Sequence, residues 1–364
     1  MSRGPCGDWV LTGGFAMKKQ RPIWAVVFGL LLVGYTTYVM LDVFVIRRPE
    51  QTNATDVNLA WFALTPSPTI VGRADPEATP TSFIPGSELT PTPGEGTPAV
   101  TAPPTPTGTP TPTPTPSFFT TEVVKTETTY SNDHLYVEIS EYREHDTQIH
   151  VAEVRLTSAQ YLLTAFAENT YGRNIFERTS KMAADHDAVF AINGDNYGAR
   201  EGGYEIRNGV LYREVGNTRK DVLCIMPDGD FMFSHYYKAT ARELWEKGTW
   251  QGFTFGPVLI DDGELKVEVD TEVDYCYVTN PRTAIGMVEP LHYFFVVADG
   301  RTKTSHGLSV YEVADFMKRL GCTKAFNLDG GGSSTMVFCG EFVNFPTSEG
   351  TFYERGVSDI VYVR

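Results

Sequence analysis

Ala325-Phe326-Asn327-Leu328-Asp329-Gly330-Gly331-Gly332-Ser333-Ser334-Thr335-Met336 runs a short apolar strand straight into a carboxylate, three glycines and two hydroxyls. Three consecutive glycines raise the entropy cost of folding, so they belong where the backbone must adopt φ > 0 or approach a ligand closely. Backbone N–H groups exposed on such a turn can bind an anion. The plain alternative is a tight strand-to-strand turn, and the rest of the chain has to decide between them.

Outward from this stretch, strand signals dominate residues 118–364. Short apolar or alternating runs occur at 135–139, 148–156, 161–166, 188–192, 222–226, 231–234, 258–260, 283–288, 293–297, 324–328 and 359–363, separated by Gly, Asn and Asp. Asn208-Gly209 and Asp228-Gly229 sit between such runs as two-residue hairpin turns. The clearest helix runs from Ser309 to Leu320. Ser309 and Glu312 form a capping box, Val310, Val313, Ala314 and Met317 make the buried stripe, and Gly321 stops it. Shorter helices are expected at 179–185 and 241–247. Many strands with few helices predict an α+β outer domain built on one large mixed β-sheet.

The first part of the chain is of another kind. Residues 1–22 carry Arg3, Lys18, Lys19 and Arg21, and from Ile23 to Ile46 the only charge is Asp42. As a helix this run would rise about 36 Å, enough for a hydrocarbon core of roughly 30 Å. It exceeds the apolar core of a signal peptide and lacks a small-x-small cleavage site. The reading is an uncleaved single-span transmembrane anchor over 23–46, with residues 1–22 cytoplasmic by the basic flank and the C-terminal domain extracytoplasmic at the cell membrane. Met17-Lys18-Lys19 is a second candidate start. Residues 47–117 are read as a stalk: from Thr65 onward they are Pro/Thr-rich, which cannot bury a core and favours extended, polyproline II-like chain. Asn53-Ala54-Thr55 fits an N-glycosylation acceptor.

Charge and cysteines narrow the partners. The chain has 30 Lys/Arg against 45 Asp/Glu, and the outer domain 23 against 37, which argues against nucleic acid or anionic lipid as a partner. Cys224, Cys276, Cys322 and Cys339 would lie outside, where three disulfide pairings are open. No pair has the C-x-x-C spacing of a zinc or redox site, and no metal set is assigned. Residues 330–332 lack the G-x-G-x-x-G spacing of dinucleotide binding, and Thr335 stands where a hydrolase elbow needs glycine. No cofactor is expected. The acidic run 264–274 alternates charged with apolar residues and is read as a strand with one solvated face. Asp228-Gly229-Asp230 lacks the remaining ligands of a calcium loop.

Seven segments follow in order: Ala191-Ile192-Asn193-Gly194-Asp195-Asn196-Tyr197-Gly198, Arg207-Asn208-Gly209-Val210-Leu211-Tyr212, Phe255-Gly256-Pro257-Val258-Leu259, Asn280-Pro281-Arg282-Thr283-Ala284-Ile285-Gly286, Val297-Ala298-Asp299-Gly300-Arg301, the turn 327–334, and Glu354-Arg355-Gly356-Val357-Ser358-Asp359. The series resembles the phosphodiester glycosidase family, typified by removal of N-acetylglucosamine from a mannose 6-phosphate diester, and looks closest to its bacterial exopolysaccharide-type members. It runs from about Val151 to the C-terminus. Two positions depart from the pattern: Asp195 stands where a small residue is usual, and Asp359 where Asn is expected, so Asp359 is not transferred as a site residue.

The resemblance implies cleavage of a sugar C1–O bond with a phosphomonoester as leaving group. That group is already anionic, so it needs anion stabilisation more than a proton. Arg282 and the amides of Gly330, Gly331 and Gly332 are suited to it. Positive charge building on the sugar calls for a carboxylate facing C1. Asp329 is the first choice and Asp299 the second, each following an apolar strand and preceding glycine. Asn193, Asp195, Ser333, Ser334 and Arg355 complete the expected substrate-binding set. Asn193 reads equally as a turn residue, Arg355 as a framework partner of a carboxylate. His306 is the nearest base in sequence to the two serines, and a lone histidine is more often structural. The implied substrate is a carbohydrate phosphodiester. A non-catalytic glycan-binding module on a stalk and a metal-dependent phosphodiesterase are the competing classes.

Overall fold

The computed structural model describes residues 23–44, 46–49, 117–216, 220–271, 273, 279–348 and 350–364. All eleven predicted strand runs are strands, with ends shifted by a residue or a few. Three sheets carry the domain. The largest has nine strands in the order Glu264–Leu265, Val258–Asp261, Lys324–Asn327, Arg282–Glu289, His292–Ala298, Thr147–Leu156, Leu135–Glu144, Thr129–Ser131, Val124–Lys125. A second orders Val210–Arg213, Glu205–Arg207, Gln251–Thr254, Asp221–Ile225 and Phe231–His235. The third orders Glu341–Phe342, Met336–Phe338, Phe190–Asn193, Asp359–Val363 and Leu162–Phe166.

The expectation of one large mixed sheet is therefore corrected. Every pairing of neighbouring strands within these sheets is antiparallel. The physical reason lies in the connections. Asn208 and Gly209, with φ of 51° and 76°, make the tight turn that joins antiparallel neighbours, whereas a parallel pair needs a long crossover. The longest helix of the domain, Val310–Arg319, carries the chain from His292–Ala298 past Arg282–Glu289 to Lys324–Asn327. It is capped as predicted, Ser309 Oγ accepting from the Glu312 N–H while the Glu312 carboxylate accepts from the Ser309 N–H at 2.7 Å. Its buried stripe packs into the main core with Phe295, Phe326 and Leu328, and Phe190 meets Phe295 edge-on across two sheets, centroids 5.1 Å apart. Thr179–Asp185 and Ala241–Glu246 are the shorter helices.

Other expectations change. Among the described residues of the acidic run 264–274, Glu264–Leu265 forms a strand and residues 269–270 a turn. Cys224, Cys322 and Cys339 are free thiols, so none of these three is bridged; Cys6 and Cys276 lie outside the described residues. The tail 1–22 and the stalk over 50–116, with Asn53, also lie outside them. Within the expected stalk, Arg48–Pro49 pairs antiparallel with Gly172–Arg173 and Arg47 reaches Glu168, and just before it Asn174 donates to the Ile46 carbonyl. The predicted span forms a helix, Ile23–Phe44, with Ile23, Trp24, Leu30 and Leu31 exposed. Among the described residues, however, no helix is long and apolar enough to cross a membrane.

Candidate active site

Three strand ends meet at one edge of the nine-stranded sheet. Ala284 pairs with Asn327, and Arg282 with Ala298. Because the ladders are antiparallel, the start of Arg282–Glu289 lies beside the ends of Lys324–Asn327 and His292–Ala298. The chain leaves those ends as Leu328-Asp329-Gly330 and Asp299-Gly300-Arg301. Leu328 continues the ladder for one bond, to Thr283 O at 2.9 Å, before the glycines turn away.

A cavity of about 120 Å³ opens there, bordered by Phe255, Asn280, Arg282, Arg301, Asn327 and Asp329, the three glycines and Arg355. Asp329 accepts a hydrogen bond from Ser333 Oγ at 2.5 Å and a longer one from Arg355 Nη2 at 3.4 Å. Arg355 also donates to Ser333 Oγ. Burial pushes the Asp329 carboxyl above its ordinary value; the Ser333 hydroxyl and the charges of Arg355 and Arg200 oppose this without cancelling it. Arg282 is buried and donates from Nε to Leu308 O at 2.9 Å. Arg301 is braced by Asn280 Oδ1, at 3.1 Å from Nε and 2.9 Å from Nη2.

The glycines have separate reasons. A Cβ on Gly330 would meet Pro281 O at 2.8 Å, and Gly331 has φ 62° with Arg301 Nη2 2.9 Å from where a Cβ would stand. Two of the three amides are engaged within the turn. Gly331 N–H donates to Pro281 O at 2.8 Å, and the Gly330 N–H is directed to the Asp329 carboxylate.

The other expected site residues are dispersed. Asp299 is buried away from the cavity lining. Its carboxylate accepts from the Phe345 N–H at 3.0 Å and Asn344 Nδ2 at 3.3 Å, with His150 Nε2 3.3 Å away. Asn193 is fully buried and saturated: Nδ2 donates to the carbonyls of Asp329 and Gly194, and Oδ1 accepts from Thr283 Oγ1 and the Thr335 N–H. Asp195 is also fully buried, accepting from Arg207 Nη2 and the Thr254 N–H. It belongs to a cluster with Glu205, Asp359, Arg207 and Arg213. Burial, then the charge of Asp195, pushes Glu205 up to about 8 and Asp359 up to about 7, against the pull of Arg207. Ser334 is buried, and its Oγ has no partner among the described residues. His306 is exposed and not part of the cavity lining.

Arg301, Asn280, Asn327 and Phe255 were not singled out in the sequence. Asn327 donates to Gly256 O at 2.9 Å, while its Oδ1 is buried with no partner among the described residues. Such an acceptor at a cavity wall suits a ligand hydroxyl. A readable signal existed, since all four lie inside the seven ordered segments.

The cavity at these converging strand ends thus sets one carboxyl, that of Asp329, among the guanidinium groups of Arg282, Arg301 and Arg355. Residues 186–364, just under half of the chain, match the family model described as phosphodiester glycosidase. The chain is similar to the SPbeta prophage-derived uncharacterised protein YomE of Bacillus subtilis, 30% identical over 198 residues, 53% of this chain and 30% of that protein. It is also similar to the N-acetylglucosamine-1-phosphodiester alpha-N-acetylglucosaminidase of Mus musculus, 37% identical over 70 residues, 19% of this chain and 13% of that one. The chain thus spans less than a third of the length of these relatives. The catalytic domain of the zebrafish enzyme of that name, auto-inhibited by its pro-peptide, shares the fold: TM-score 0.52 at 21% identity, covering 63% of this chain and 82% of that one.

Proposed function

We propose that the domain hydrolyses the C1–O bond of a sugar 1-phosphodiester in an envelope or exported polysaccharide. The observation that carries this reading is the composition of the cavity wall: among the described lining residues Asp329 is the one carboxyl, and it stands with Arg282, Arg301 and Arg355. An ordinary glycosidase needs a second carboxyl as acid, because its leaving alkoxide is basic. A phosphomonoester leaves as an anion, so guanidinium groups can take the place of that acid.

In this reading the phosphate lies against Arg282 and Arg301, and Asp329 faces C1 as nucleophile, base or electrostatic partner. Ser333 and Arg355 orient the carboxylate. Water supplies the new C1–OH, and the C1–O electron pair leaves with the phosphate. The membrane anchor is read from the apolar run 23–46 of the sequence alone. With the basic residues 3–21 on the cytoplasmic side, the domain would work outside the membrane.

The test is hydrolysis of a panel of sugar 1-phosphodiesters in ¹⁸O water, with and without chelator. Label in the sugar supports C–O cleavage. Label in the phosphate, or loss of activity with chelator, supports a metal-dependent phosphodiesterase instead. Binding without turnover supports a glycan-binding module.

A further inference from the structure

Phe255, just past the strand Gln251–Thr254, is buried and borders the cavity of Asp329. Two half-buried cations lie over its ring, the Arg200 guanidinium carbon 4.6 Å from the centroid and Lys220 Nζ 4.8 Å from it. Cation–π attraction of this kind fixes where a charge stands without neutralising it. The ring is held as well, because the backbone on either side of it is tied to carboxylates. Thr254 N–H donates to Asp195 at 2.8 Å and Val258 N–H to Asp221 at 3.1 Å.

Arg282 and Arg301 belong to a different wall. Asn280 pairs with Leu308, Arg282 donates to Leu308 O, and Arg301 donates to Asn280 Oδ1. The charges that act most on the Asp329 carboxyl are instead those of Arg355 and Arg200. The balance of charge is a second observation. Among the described lining residues, Arg282, Arg301 and Arg355 already outweigh Asp329 together with the single charge of a diester phosphate. Arg200 and Lys220 add two more cations, in a domain that has 23 Lys/Arg against 37 Asp/Glu. Local positive charge in an acidic domain selects a partner of matching negative charge.

We infer that Arg200 and Lys220 form a subsite for a second anionic group, carried by the sugar whose C1 faces Asp329. The inference rests on the function proposed above and adds the substrate class: an acidic sugar, bearing a carboxylate or a phosphate besides its 1-phosphodiester. With the diester phosphate against Arg282 and Arg301, the charges over Phe255 fall beside the attacked sugar. Arg200 can pair two oxygens of either anion through its planar fork, and Lys220 supplies a point charge.

Calorimetry on the full chain compares three ligands: glucose 1-phosphate, glucuronic acid 1-phosphate and glucose 1,6-bisphosphate. At least one of the two more acidic ligands is expected to bind about tenfold more tightly than glucose 1-phosphate, and which of them does so tells carboxylate from phosphate. Arg200→Gln and, separately, Lys220→Gln are each expected to lower that ratio by about threefold or more. Thermal melts check that the variants fold, and the lysine variant keeps the test open should Arg200→Gln not fold. Equal binding of all three ligands, no binding of any, or an unchanged ratio in both variants overturns the subsite. A retained preference for the acidic ligands together with ¹⁸O found in phosphate overturns the proposed cleavage and leaves the anion subsite standing.

Discussion

Asn193 donates from Nδ2 to the main-chain carbonyl of Asp329 at 2.7 Å, which ties the end of a fully buried strand in one sheet to the glycine-rich turn that leaves another. The return contact runs from the Asp329 N–H to Gly194 O at 3.3 Å. The carboxylate is therefore positioned by two backbone clamps as well as by Ser333, and its side chain is left facing the cavity.

Asp329→Asn is expected to lower turnover by about 10²–10⁴-fold, the usual range for a positioned acid–base group, with Tm unchanged or raised by no more than about 4 °C. The sign follows from linkage. A carboxyl raised by burial holds its proton more tightly when folded, so its contribution to stability is greatest below the unfolded value and falls as pH rises through the folded one. The amide cannot ionise and removes that loss. Turnover within tenfold of wild type, or a large drop in Tm, would take Asp329 out of the mechanism.

The glycines should separate by position. Gly330→Ala drives a Cβ against Pro281 O, and Gly331→Ala puts a side chain at φ 62° beneath Arg301, whereas a Cβ on Gly332 would find Arg355 at an ordinary 3.6 Å. The first two are expected to cost about 1–3 kcal/mol of stability and the third to stay within about 0.5 kcal/mol, by chemical denaturation. Equal effects at all three would mean the turn is looser than its contacts imply.

Strands and caps were legible because their chemistry is local: alternation, Asn-Gly, and a serine three residues before a glutamate. The sheet order was not, since the partners of Lys324–Asn327 and Arg282–Glu289 are far apart in sequence and only the ladders bring them together. The same limit explains the carboxylates. Asp299 and Asp329 have the same local pattern, a strand end followed by glycine, and differ by what arrives from elsewhere: His150, Asn344 and Phe345 enclose one, while Arg355 and open cavity face the other. Asn193 and Asp195 sit in a segment that resembles a site motif and serve as its framework, a distinction that lies in side-chain direction.

The buried cluster makes a pH prediction away from the cavity. Glu205, pushed up to about 8, and Asp359, pushed up to about 7, both bind protons more tightly when folded. Their contribution to stability is full below the ordinary carboxylate range and is lost as pH climbs through about 7 and 8. Wild-type Tm should therefore fall between pH 6 and pH 9, and Asp359→Asn should flatten that fall. Parallel slopes in calorimetric scans of the two proteins would show that the cluster stays ionised throughout.

Arg282→Lys tests the anion pocket. The guanidinium donates from Nε to Leu308 O and borders the cavity. A lysine keeps the charge but is a point donor and cannot pair two phosphate oxygens through a planar fork. Charged hydrogen bonds are worth about 1.5–3 kcal/mol each, so kcat/KM should fall by roughly 10–100-fold. The loss should appear in kcat to the extent that the leaving phosphate gains charge in the transition state, and in KM to the extent that the bound diester is held equally well. Inorganic phosphate should compete with substrate in the wild type and do so less well in the variant. Wild-type kinetics in the lysine variant, with no inhibition by millimolar phosphate in either protein, would remove Arg282 from phosphate binding and leave the glycan-binding reading as the stronger one.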